Sequence, residues 1–172
     1  MDNLTHSLFA LTLARTPLGR AGRGAPVTLV LASNAPDSDI AVALTHGGGA
    51  YLTAHRGSSH GPVGVVGFAL VVASLVYLGL AWRRRKKPVP SPSEATWPQL
   101  VALALVGTLG HVLMDLPTSY GTRSLSPFED RWFTIDLMPI IDVYLLALFG
   151  GGLAAVYARR KSQGAIAAVV LM

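Results

Sequence analysis

Residues 62–82 run for about twenty positions without one charged side chain, enough at about 1.5 Å of rise per residue to cross a hydrocarbon core of roughly 30 Å. Such a run leaves a bilayer as the natural solvent of the fold. Pro62 suits a first helical turn, where its missing N–H has no partner to lose. Trp82 and the block Arg83, Arg84, Arg85, Lys86 and Lys87 mark the far interface, cytoplasmic by the positive-inside rule. The composition agrees, since 13% of residues are charged against about a quarter in soluble globular domains.

Residues 99–116 form a second expected span, apolar except for His111 and Asp115 near its far end. Residues 137–157 form a third, which finishes in Arg159, Arg160 and Lys161. Both basic blocks fall on one side if the chain runs out to in, back out, and in again. The Pro- and Ser-rich stretch 88–98 is an expected loop. In the N-terminal third, 4–14 and 27–33 are apolar but short, and flank a loop with Arg15, Arg20 and Arg23; such pieces are re-entrant or half-spanning. Residues 165–172 read as the start of another apolar helix that stops after about half a crossing, as in a truncated chain. The predicted fold is therefore all-α, a polytopic membrane helical bundle with short N-terminal re-entrant or half-spanning helices, in a single membrane-embedded domain over 1–172.

The net charge of +5 is gathered in blocks beside apolar runs, a topology signal rather than a nucleic-acid surface. An acid stands where a secretory signal carries its basic region, so the N-terminus is expected to be kept. The glycine runs at 47–49 and 150–152 lack the Lys and Ser or Thr of a phosphate loop. Absence of cysteine removes disulfides and thiolate ligands together, so any metal must be held by nitrogen and oxygen.

Polar residues collect on one predicted face. His55 and His60 precede the first span, His111 and Asp115 end the second, and Asp136 and Asp142 flank the start of the third. Asn34, Asp37 and Asp39 follow a short helix whose other end carries arginines, and His6 lies far from Arg15 on its own helix. Each has a plainer reading. His111 and Asp115, one turn apart, could simply bond each other, but ionisable groups at membrane depth are expensive and mark functional sites. His55 and His60, five apart, share no helical face and must meet through a turn, for which Gly57 is the candidate. Asp37 and Asp39 alone would be a helix-ending turn, and Asp142 a helix N-terminal carboxylate. His46 reads as a bystander. Imidazoles combined with carboxylates suit zinc, manganese or iron, which lower the pKa of bound water to about 7. Arg56, between two candidate ligands, is placed to stabilise a developing anion.

Five ordered motifs resemble the YdjM-type family, described as inner-membrane metal-dependent hydrolases: Met1-Asp2-Asn3-Leu4-Thr5-His6-Ser7-Leu8, Ser33-Asn34-Ala35-Pro36-Asp37-Ser38-Asp39, His55-Arg56-Gly57-Ser58-Ser59-His60, Gly110-His111-Val112-Leu113-Met114-Asp115 and Thr118-Ser119-Tyr120-Gly121-Thr122-Arg123. The likeness continues through Pro127–Phe133 to Asp136 and Asp142. It implies a bacterial-type inner-membrane protein with a metal site formed by His6, Asp37 or Asp39, His55, His60, His111 and Asp115. This chain has Ser59-His60-Gly61 where the family commonly has Thr-His-Ser, which loses a hydroxyl beside a ligand.

The leading functional expectation is hydrolysis of an ester or phosphodiester in a membrane lipid, a lipid-linked compound or a small molecule. The metal is a divalent ion, zinc first, on His6, Asp37, His55, His60, His111 and Asp115. Arg56 and Asp39 are the expected catalytic groups, and Tyr120, Arg123 and Arg131 the expected substrate contacts. The site is expected at the periplasmic face of a multi-pass inner-membrane protein. Divalent-cation transport is the alternative, but it calls for polar residues along the whole span, and 62–82 and 99–109 offer almost none. A regulatory protein with a structural metal site is a third reading.

Overall fold

The computed structural model describes residues 1–40, 55–86 and 93–170, with 160–170 as backbone alone. His46, the glycine run 47–49, Lys87 and residues 88–92 of the proline-rich linker lie outside the described residues. Among the described residues there are five α-helices and no strands: α1 (Asn3–Leu13), α2 (Ala25–Asn34), α3 (Pro62–Lys86), α4 (Trp97–Asp115) and α5 (Val143–Val170). Isolated bridges join Thr118 to Met138 and Thr122 to Phe133 in the loop before α5.

Among the described residues two helices are long and apolar enough to cross a membrane, α3 with 25 residues and α4 with 19. The first outruns its expected boundary because the helix continues through the basic residues to Lys86. At 11 and 10 residues, α1 and α2 have the half-depth expected of them. The expected third span differs. Its helix starts at Val143, because Leu137 N and Met138 N donate to Pro117 O and Met138 O accepts from Ser119 N, which fixes the apolar stretch before it as loop. Asp142 Oδ1 then accepts from Leu145 N at 2.8 Å and caps α5 as a helix N-terminal carboxylate should. The part of this helix with described side chains is Val143–Arg159. The same helix runs on to Val170, so 165–170 continues it instead of opening another.

Helix α4 packs against both α2 and α3, and α1 lies between α2 and α5. The α2–α4 seam depends on Gly107, where an added Cβ would lie 2.7 Å from Ala32 Cβ and 3.1 Å from Leu29 O. Small residues let two backbones approach closely, the usual device where lipid offers no hydrophobic drive between helices. Ala69, Ala73 and Ala104 extend the theme across the α3–α4 seam, with Val72, Val76, Leu80 and Leu100 filling it.

The two ends of the bundle carry different chemistry. At one end, α3 begins directly after His60 and α4 finishes in Asp115. At the other, Arg23 pairs with the 93–95 backbone and Arg84 Nη1 donates to Glu94 Oε2 at 2.5 Å, beside the exposed Arg83, Arg85 and Lys86.

Candidate metal centre

Four separated segments deliver the site. Asp2 caps α1 by accepting from Leu4 N and Thr5 N at 3.0 Å, which sets His6 in the first turn, facing inward. A 3-10 turn at Pro36–Ile40 carries Asp37 and Asp39 off the end of α2. His60 ends a turn closed by its own N–H on Gly57 O. His111 and Asp115 occupy the last turns of α4, one turn apart as their spacing predicts.

These elements bring Asp37, His60, His111 and Asp115 together as a group that could hold a metal ion. His60 Nε2 and His111 Nε2 are 3.0 Å apart. Asp37 Oδ1 is 3.6 Å from the first and 3.4 Å from the second. Asp115 Oδ2 is 3.3 Å from His60 Nε2 and 3.4 Å from His111 Nε2. A tetrahedral ion with bonds of about 2.0–2.1 Å spaces its donors about 3.3–3.4 Å apart; three of these five edges match that spacing, and the His60–His111 edge is shorter and the Asp37–His60 edge longer.

The ring nitrogens behind the site fix the tautomers. His111 Nδ1 lies 2.7 Å from Ser33 O, and a carbonyl can only accept, so Nδ1 carries the proton. Ser59 Oγ donates to Asp39 Oδ2 at 3.0 Å, which leaves its lone pairs for His60 Nδ1–H at 2.8 Å. Both Nε2 atoms therefore present lone pairs to the same point. Burial pushes His60 down to about 4, with nearby Asp37 opposing the shift and His111 adding to it. For Asp37 burial works the other way, yet the His111 and His60 rings beside it hold its carboxyl well below the usual range. Asp39 is likewise held low against its burial, by His55, the Arg56 N–H and Ser59.

His6 stacks on His111 with ring centroids 3.8 Å apart, and its Nε2 is 3.4 Å from Asp115 Oδ1. The ring is wholly buried, and among the described residues neither nitrogen has a hydrogen-bond partner. Buried polar atoms in that condition call for an unseen partner. The Met1 amine also contacts Asp115 Oδ1.

His55 sits one layer out. Its Nδ1 meets Asp39 Oδ1 at 3.0 Å and its ring centre is 6.2 Å from that of His60. Asp37, Asp39 and His55 form a second group of potential ligands that shares Asp37 with the first.

Arg56 is buried. Its Nη2 lies 3.3 Å from Asp115 Oδ1, while Nη1 donates to Thr118 Oγ1 at 3.1 Å and Gly121 O at 3.0 Å. The turn that joins His55 to His60 uses a left-handed Arg56, φ 54°, rather than the expected glycine at 57. Tyr120 packs beside the Arg56 guanidinium at 5.0 Å and the His55 ring at 5.7 Å. Arg123 lies over Trp132 at 5.2 Å and is joined to Arg56 through its backbone N–H. Arg131 is exposed over Phe133, at the edge of the same loop.

Of the sequence-predicted ligands, His6, Asp37, His60, His111 and Asp115 converge, and His55 with Asp39 stand behind them. Sequence reasoning missed Ser33, Ser59 and Thr118. Ser59 carried a signal in its place next to His60, whereas Ser33 acts through its carbonyl, which every residue has. Gly61 has a local cause too, since an added Cβ there would fall onto Ser126 O.

The profile of the YdjM inner membrane protein family matches residues 1–172. The uncharacterized protein YfhP of Bacillus subtilis (strain 168) is 24% identical over 132 residues, covering 77% of this chain and 36% of that protein. This chain thus spans little more than a third of that relative's length. No solved structure matches it. With its full length covered by the family profile and its buried histidines and aspartates gathered at one end of an apolar bundle, the chain belongs to the YdjM inner membrane protein family.

Proposed function

We propose that this chain is a metal-dependent hydrolase that cleaves an ester or phosphodiester of a lipid or lipid-linked substrate at the periplasmic end of a multi-pass bundle. The observation that carries the reading is the pair of Nε2 atoms on His60 and His111, 3.0 Å apart and flanked by two carboxylates. A divalent cation there, zinc by the four-donor spacing and manganese or iron next, supplies Lewis-acid activation of water.

The chain's own groups divide the remaining work. Asp37, His60, His111 and Asp115 would hold the ion, and His6, buried beside Asp115, would add a further donor. Asp39 orients His60 through Ser59, and His55 directly, so we assign it a positioning role behind the ligands. Arg56 balances Asp115 and ties the 118–121 loop to the site. Tyr120, Arg123 and Arg131 border it and suit an anionic group such as a phosphate. The position supports a lipid substrate, because the cluster lies where the apolar lengths of α3 and α4 end. The arginine-rich opposite end supports a cytoplasmic placement for that end by the positive-inside rule.

The test is elemental analysis of untagged purified protein together with turnover of phospholipids and soluble phosphodiesters. We expect bound metal and hydrolysis that stops with a chelator and returns with zinc or manganese. Protein that binds no metal, or hydrolysis indifferent to the chelator, would sink the proposal.

A further inference from the structure

At the end of the bundle away from the histidines, one stripe of α3 changes character along its length. Leu75 lies four residues before Gly79, Gly79 three and four before Trp82 and Arg83, and these four and three before Lys86, so the set shares a face. Beside the upper part, an apolar groove of about 330 Å³ runs between α2 and α3, walled by Val27 and Leu31 on one side and Leu75, Val76 and Leu80 on the other. Beside the lower part lies a second hollow of about 470 Å³, formed by Gly79, Trp82, Arg83 and Lys86. The two meet, because Gly79 and Arg83 border both.

Gly79 makes the notch. A Cβ built there meets nothing within 4 Å, so the missing side chain leaves space open to the outside. Trp82 is 61% exposed, the usual posture of an aromatic at the level of lipid headgroups. Lys86 Nζ stands 4.0 Å over its ring, which holds the ammonium at the rim. From Leu75 to Lys86 the stripe is about 16 Å long at 1.5 Å per residue, a fair part of one bilayer leaflet.

An apolar slot that opens at one end onto two cations and an indole fits one chemical class. We infer that this groove holds an anionic phospholipid, with an acyl chain against Val27, Leu31 and Leu75, the glycerol region over Gly79 and the phosphate between Arg83 and Lys86. Charge complementarity selects the occupant, since Arg85 adds positive charge beside the same rim while Arg84 is paired with Glu94, and a zwitterionic headgroup would gain less from it. This lipid is bound at the opposite end from the metal cluster and is not the proposed substrate.

The test compares the full chain, purified in mild detergent, with Gly79→Leu and with the Arg83→Gln/Lys86→Gln double variant. Each is mixed with phosphatidylglycerol and phosphatidylcholine of matched chains, and retained lipid is counted by native mass spectrometry. The unaltered chain should keep one phosphatidylglycerol with roughly ten- to thirtyfold preference, as two basic contacts at a membrane surface suggest. Both variants should lose that preference, the first by filling the notch and the second by removing the charge. Exposed positions make misfolding a minor risk, and unchanged helicity and melting check it. Equal retention of the two lipids by the unaltered chain, or an undiminished preference in both folded variants, would overturn the inference. Either result leaves the hydrolase proposal standing.

Discussion

His60 and His111 point their Nε2 atoms at each other across 3.0 Å, and with the proton of each neutral ring held on Nδ1, both Nε2 atoms present lone pairs. Two lone pairs at that distance repel unless a cation lies between them and the flanking carboxylates. Metal removal should therefore destabilise the fold. A ligand at a hundredfold over its Kd adds about 2.7 kcal/mol, so chelator-treated protein should melt several degrees lower and recover with zinc. His111→Ala should abolish that recovery, which differential scanning fluorimetry in detergent would show. An identical melting temperature with and without metal would contradict the argument.

Ser59 and Asp39 act on the metal through His60. Ser59→Ala removes the acceptor that fixes the His60 tautomer, and Asp39→Asn weakens the acceptor behind Ser59. Loss of such outer partners typically costs about 10–100-fold in metal affinity. Each variant should weaken zinc binding by that order in competition titrations. The double variant should lose less than the product, because both changes break one chain of contacts. Full additivity would mean that Asp39 works through His55 or the Arg56 N–H and not through Ser59.

Much of this site was legible because its residues are misfits in their segments. His111 and Asp115 interrupt an apolar helix four residues apart, and helical geometry alone then puts them on one face. His6 and Asp37 were harder, being ordinary in isolation and informative only once the topology set both at the same end. What stayed hidden depends on backbone groups. Ser33 offers a carbonyl, and Leu137 and Met138 look helical until their N–H groups are seen to serve Pro117 O. The left-handed residue in the 55–60 turn was misplaced by one position because Gly57 is the cheaper choice and Arg56 is held there by its contacts.

Arg56 joins three pieces of the molecule with one planar group. Its neighbour Asp115 is fully buried, and removing a partner from a buried ion pair costs about 3–5 kcal/mol. Arg56→Gly tolerates the positive φ and so isolates the side-chain effect. We expect a clear drop in metal-free stability, with part of it regained on adding zinc, whose charge takes over at Asp115. Arg56→Lys should rescue incompletely, since an ammonium cannot reproduce the forked contacts to Thr118, Gly121 and Asp115. A lysine variant equal to the parent in melting and metal affinity would limit Arg56 to a point charge.

The seam that aligns the ligands can be tested far from any of them. Gly107 lies one turn before His111, and Ser33 Oγ reaches Gly107 O at 3.4 Å while Ser33 O receives His111 Nδ1. A side chain at 107 would meet Ala32 Cβ and the backbone of Leu29 and Ser33, so it must lever α2 off α4. Overpacking of this kind costs about 1–3 kcal/mol. The displacement should also lengthen the bond from His111 to Ser33, freeing the ring to turn. Gly107→Val should therefore lower both melting temperature and zinc affinity, although position 107 touches no ligand. Gly150→Val on α5, where a new Cβ meets nothing within 4 Å, should change neither. If Gly107→Val lost stability yet bound zinc as tightly as the parent, the distance between α2 and α4 would not be what holds His111 in place.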